Sequence, residues 1–225
     1  MSQTFLQEER YRIAEQLVNV SQNFANKGWF PATSGNLSVK LSHEPLTFGV
    51  TASGKDKEYL TIHDILFVDG DSKALESTQL KPSAETLVHA EVYKRIGAEA
   101  GSVLHVHTIY NNLISEIFAE QGSVVISDME LIKGLNIWEE GATIEVPIVE
   151  NFADIPKLAA EIGKRLDPRV PGVLIRKHGI YAWGDSVAAA KRHVQAFEFM
   201  FEYLFKYLQF QRSAGVEPAV VGNLR

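Results

Sequence analysis

Apolar residues recur at helical spacing between about Glu8 and Lys27. Ile13, Leu17, Val20 and Phe24 fall four, three and four apart, which sets them on one face, and Gly28 offers a stop. A second helix is signalled at Lys81-Pro82-Ser83-Ala84-Glu85-Thr86. Pro82 stands at its start, Ser83 is its N-cap, and Leu87, Val88, Val92 and Tyr93 follow. Thr108 caps a third helix carrying Ile109, Leu113, Ile114 and Ile117, and a fourth runs from Asn151 to Leu166, begun or interrupted at Pro156. The fifth opens at Gly184-Asp185-Ser186. Its residues Val187, Ala190, Val194, Phe197, Phe201, Leu204 and Leu208 alternate three and four apart like a heptad seam. Phe199, Tyr203, Phe205 and Tyr207 add apolar surface off that seam. A helix so aromatic is either deeply buried or shared with another subunit.

Between the helices lie short apolar runs bounded by turn residues, which predict strands. Leu37–Val39, Thr47–Val50 and Leu66–Val68 read as a meander, followed by runs at Gly101–His107, Gly122–Ile126, Thr143–Ile148, Val173–Ile175 and Ile180–Gly184. A meander argues against a purely parallel sheet. The fold class expected is therefore α/β: one domain over residues 1–225, with a central, mostly antiparallel sheet and helices on both sides. The tail from Ala214 to Arg225 shows no element of its own.

Composition narrows the function. A chain of 225 residues, 45% hydrophobic, can bury one large core, and a formal net charge of −6 gives no footprint for nucleic acid or an anionic membrane. No apolar run reaches the length of a membrane span, and Met1-Ser2-Gln3-Thr4 does not open a signal peptide, so a cytoplasmic protein is expected. Cysteine is absent, so any metal must be held by histidine and carboxylate.

Candidate chemistry gathers around His105-Val106-His107. In a strand, residues two apart point the same way, so these two imidazoles share a face about 7 Å apart at the backbone. A third histidine, His178, sits before Gly179 between two strand-like runs. Three polar turns precede them: Gly35-Asn36, Ser53-Gly54 and Ser83-Ala84-Glu85. Glycine there lets a ligand approach the backbone, and freed N–H groups can cradle an anion. Glu85 in a first helical turn and Glu130 beside Lys133 each have plain structural readings, as macrodipole partner and helical ion pair. His89 reads as a packed or surface residue rather than a ligand, and His193 as structural.

Taken in order, the three turns, the H-x-H strand, the intervening glutamates and the downstream His-Gly resemble the class II, zinc-dependent aldolase family, whose fold also occurs in the adducin head. The likeness runs from about Glu8 to Leu208. It implies Zn2+ on His105, His107 and His178, one per subunit. It also implies a substrate phosphate on Gly35, Asn36, Ser53, Gly54 and Ser83, a small-molecule sugar phosphate as substrate, and a homo-oligomer, expected as a tetramer. Pro31–Ser38, Glu130–Gly134 and Lys177–Gly184 resemble the family's dehydratases, lyases that act on a methylthio-substituted ketopentose phosphate in methionine salvage. That likeness implies Glu130 as catalytic acid/base. Some dehydratases differ at the position of Glu85, whereas the aldolases use a glutamate there for proton transfer, so Glu85 keeps sugar-phosphate cleavage open as the alternative. A non-catalytic module like the adducin head would be expected to break the histidine triad.

Overall fold

The computed structural model describes residues 3–214. Its centre is an eight-stranded sheet in the order β3-β2-β1-β4-β8-β7-β6-β5. The strands are β1 (Asn36–Ser42), β2 (Thr47–Thr51), β3 (Ile65–Asp69), β4 (Ser102–Val106), β5 (Ser123–Ser127), β6 (Thr143–Val149), β7 (Gly172–Ile175) and β8 (Gly179–Gly184). Every neighbouring pair is antiparallel except β6 and β7, so the expected class holds and β1 to β3 form the expected meander.

Among the described residues, five α-helices cover the sheet: α1 (Gln3–Ala25), α2 (Thr86–Ile96), α3 (Ile109–Ile117), α4 (Ile155–Gly163) and α5 (Val187–Ser213). One face buries Leu17 and Phe24 of α1, Ile114 of α3 and Phe197 and Phe201 of α5. The other buries Val88 and Tyr93 of α2 and Leu158 of α4 beneath Trp183. The period of two in β4 sorts its residues between these layers. Leu104 and Val106 enter the first core and Val103 the second, which puts His105 on the α2 side with Val103.

Local chemistry explains most helix starts. The side chains of Thr108, Asp154 and Ser186 accept the N–H of Asn111, Lys157 and Ala189 respectively, each an N-cap that satisfies an orphan donor. The start of α2 differs from the sequence expectation. Ser83 does not cap it; the helix begins at Thr86, and the Ser83 hydroxyl instead accepts the N–H of Glu85 at 3.3 Å. Glu85 thereby sits one residue outside the helix, free to turn toward the sheet.

Along α5 the seam residues Val194, Phe197, Phe201 and Leu204 are buried within the protomer, while Phe199, Tyr203, Tyr207 and Phe210 face outward. The buried reading therefore holds for the seam, while the outward aromatic face has no cover within the protomer. No described helix is long and apolar enough to cross a membrane. The C-terminal tail expectation lies outside the described residues, apart from Ala214.

Candidate metal centre and substrate cavity

Strand directions bring the predicted histidines together. Val106 of β4 pairs with Ile180 of β8, so the end of β4 meets the β7–β8 turn that carries His178. His105 is fully buried and lies flat on Tyr181, 4.0 Å between ring centroids and 6° between planes. Its Nδ1–H donates to the Ile180 carbonyl at 3.0 Å, which leaves Nε2 with a free lone pair. His107 Nε2 lies 2.8 Å from that atom. His178 turns Nδ1 to Asn151 Oδ1 at 3.2 Å and Nε2 to Glu85 Oε1 at 3.1 Å. One ring nitrogen from each histidine lies within 4.8 Å of the others. Burial pushes His105 down to about 3 and His107 down to about 2, so both are neutral at pH 7, the state in which imidazole ligates.

Three nitrogen donors, two of them oriented through the opposite ring nitrogen, fit a divalent metal and the outer hydrogen bonding such a site needs. The backbone is shaped to allow it. A Cβ on Gly179 would stand 2.4 Å from the Val106 carbonyl oxygen, 2.9 Å from His105 Cε1 and 3.0 Å from His107 Cδ2. Only glycine lets the two strands close on the triad.

Glu85 completes the cluster. Its Oε2 accepts the Asn36 amide N–H at 2.7 Å and lies 3.9 Å from His105 Nε2. Burial alone raises a carboxyl pKa, but the His178 hydrogen bond, the imidazole charges and the Asn36 amide outweigh it and hold Glu85 well below the usual range.

Behind Asn36 lies a buried chain of hydrogen bonds in which every proton can be assigned. Asn36 donates through Nδ2, so its Oδ1 faces His89 Nε2, which must carry the proton. His89 Nδ1 then accepts the Ser38 hydroxyl at 2.7 Å, and Ser38 Oγ accepts Tyr93 O–H at 2.8 Å. Burial drives His89 down to about 3, which keeps its ring neutral and the direction of the chain unique. Of the two readings open for His89, packed or surface, it is the packed one, and its hydrogen bonds hold Asn36 in place.

The three polar turns also converge. Gly35, Asn36, Ser53, Gly54 and Ser83 line one cavity of about 310 Å³ with Glu85 and His107. The Asn36 side chain is already engaged at both ends, so its amide is less available to a phosphate than the neighbouring backbone. Gly35 holds φ +74, and a Cβ there would stand 2.7 Å from the His105 carbonyl oxygen. Lys57 lines the same cavity and had no mark in the sequence beyond following the Ser53-Gly54 turn.

Glu130 is placed elsewhere. β6 runs parallel to β7 and β5 antiparallel to β6, so the end of β5 lies at the opposite end of the sheet from His178. Glu130 follows β5 in a short 3-10 helix, its side chain 78% exposed and paired with Lys133 at 2.9 Å. Within one protomer it does not join the triad.

Comparison with known proteins places this arrangement. The family model described as class II aldolase and adducin N-terminal domain matches residues 15–205. The chain belongs to the class II aldolase and adducin family. Among curated members, a methylthioribulose-1-phosphate dehydratase of Persephonella marina is 54% identical over 205 residues, covering 91% of this chain and 94% of its own. The protein of the same name from Bacillus subtilis is 49% identical over 200 residues, 88% and 93% of the two chains. Among solved structures, L-fuculose-1-phosphate aldolase of Thermus thermophilus superposes with a TM-score of 0.70 at 25% identity, covering 90% of this chain and 98% of that one. A sugar-phosphate aldolase of Thermotoga maritima, 20% identical with a TM-score of 0.64 over 95% and 99% of the chains, shares the fold.

Proposed function

We propose that the chain removes water from 5-methylthioribulose 1-phosphate to give the 2,3-diketo-5-methylthiopentyl 1-phosphate, a step of methionine salvage. We further assign it one Zn2+ per subunit, a homotetrameric state and a cytoplasmic location. The observation that carries the reading is about 50% identity, over about nine-tenths of the chain, to relatives named for this reaction. When bound by His105, His107 and His178, the metal supplies Lewis acidity toward the substrate carbonyl. The turns at Gly35, Ser53-Gly54 and Ser83 hold the phosphate and fix the sugar in the cavity.

The chemistry then needs one carboxylate that moves a proton. It takes the proton from C3 and returns it to the C4 hydroxyl, which leaves as water. The resulting C3 enol becomes a ketone by taking a proton at C4. Two glutamates are candidates for this work. Glu85 stands inside the cavity, ionised, and Asn36 fixes its orientation. Glu130, at the far end of the sheet and exposed, reaches a triad only from a second copy of the chain. The outward stripe of Phe199, Tyr203, Tyr207 and Phe210 on α5 supplies apolar surface for such a copy. We assign the proton transfer to Glu130 across that interface, and to Glu85 the orientation of His178 and the reacting sugar.

The test is a subunit-mixing assay that follows diketone formation and dihydroxyacetone phosphate release together. Glu130→Gln and His107→Ala should each lose activity, the first by about 10²–10⁴-fold in kcat. Unfolding and refolding them together should restore a fraction of it, because mixed assemblies contain sites with both wild-type residues. No recovery after verified mixing would return the proton transfer to Glu85. A second reading rests on Glu85 itself, which stands where a retro-aldol base is needed; release of dihydroxyacetone phosphate in place of diketone would establish it.

A further inference from the structure

Lys57 is 2% exposed, yet no carboxylate lies within 4.0 Å of its ammonium among the described residues. Its Nζ donates to the carbonyl oxygens of Thr33 at 3.1 Å and Lys55 at 2.8 Å. An ammonium has three donors, so one remains without a protein acceptor. Burial of a cation without a paired anion costs several kcal/mol, and such charges are ordinarily paired. Burial lowers the Lys57 pKa, opposed only in part by the carboxylates of Asp56 and Glu85, neither of which forms an ion pair with it. It lines the cavity walled by Ser53, Gly54 and Ser83, whose hydroxyls and backbone can donate to an anion but cannot neutralise one.

From this geometry we infer that Lys57 is the cationic anchor of the substrate's phosphate, the group that lets this cavity select a phosphorylated sugar over the free sugar. The inference rests on the sugar-phosphate reading above. A purely structural lysine would account for the two carbonyl bonds, which tie the 31–35 turn to the 53–57 turn. It would not account for a buried positive charge, since an amide could tie the same carbonyls. An incoming phosphate oxygen supplies both the missing acceptor and the missing negative charge, and it does so beside the metal centre because His107 lines the same cavity.

The experiment is calorimetric titration of the purified protein with inorganic phosphate, beside steady-state kinetics, for wild type, Lys57→Met and Lys57→Gln. The glutamine keeps N–H donors for the two carbonyls and removes only the charge, which preserves the test where the methionine variant fails to fold. Loss of one charge-assisted bond predicts phosphate affinity weakened about ten- to hundredfold, with KM for the sugar phosphate raised by a similar factor and kcat changed much less. A folded variant that binds phosphate as tightly as wild type, or a wild-type protein with no saturable phosphate binding, overturns the assignment. The two readings separate cleanly. Dehydration by wild type with an unchanged KM in Lys57→Gln sinks the anchor alone. Lys57-dependent phosphate binding without turnover sinks the proposed reaction and leaves the anchor.

Discussion

Replacing His89 by leucine tests whether the buried chain from Tyr93 to Glu85 holds the site. The substitution removes the N–H that Asn36 Oδ1 accepts and the nitrogen to which the Ser38 hydroxyl donates. Both partners are buried, Asn36 at 4% and Ser38 at 0% exposure, so water does not replace the loss. Each orphaned group costs about 1–3 kcal/mol. The Ser38 hydroxyl has a fallback, the Val103 carbonyl at 3.4 Å, which brings the sum to about 2–4 kcal/mol. Tyr93→Phe removes only the outermost donor and leaves His89 fully bonded, for about 1 kcal/mol. Urea unfolding with excess chelator, at one fixed protomer concentration, separates these costs from linked metal binding and assembly. Two results would refute the reasoning: His89→Leu within about 1 kcal/mol of wild type, or Tyr93→Phe costing more than His89→Leu.

Three further outcomes follow from the same structure. Gly179→Ala forces a methyl against the Val106 carbonyl and both strand histidines, so it should cost about 1–3 kcal/mol and weaken metal binding at least about tenfold; an unchanged metal titration would contradict the close approach. Glu198 on α5, which accepts the Thr108 hydroxyl at 2.5 Å, is raised by burial to about 7 from an ordinary 4.5. Between those values the folded protein keeps a proton that the unfolded chain has lost, so this group makes stability fall as pH rises, by up to about 3 kcal/mol. Glu198→Gln should flatten the slope between pH 5 and 7 in urea titrations, and a slope unchanged in the variant would remove Glu198 as its source. Chelation should lower the melting temperature of the wild type and leave His107→Ala nearly unmoved, since only a protein with the full triad gains stability from the ion.

Much of the fold was legible because it depends on short-range chemistry. The 4-3-4 spacing of α1, the hydroxyl caps of α3 and α5 and the meander of β1 to β3 are written in neighbouring residues. The shared face of His105 and His107 follows from strand alternation alone. The start of α2 lies beyond the position its local pattern indicates, because Pro82 and Ser83 satisfy that pattern while the folded turn spends the Ser83 hydroxyl on the N–H of Glu85.

What the tertiary structure decided concerns contacts between residues far apart in the chain. The sequence by itself determined the element types, the sheet class and the shared face of His105 and His107, because periodicity, caps and residue identity act within a few positions; His178 joined them as a candidate ligand only through the family resemblance. Only the folded sheet could set Glu85 against His178 and place Glu130 at the opposite end, since that depends on the direction of β5 relative to β7. Only packing could distinguish half-buried Lys55, paired with Asp64, from buried Lys57, two residues apart in one polar turn, or thread His89 between Asn36 and Ser38. Burial is a property of what covers a side chain, and nothing within a few residues of Lys57 or His89 specifies their cover.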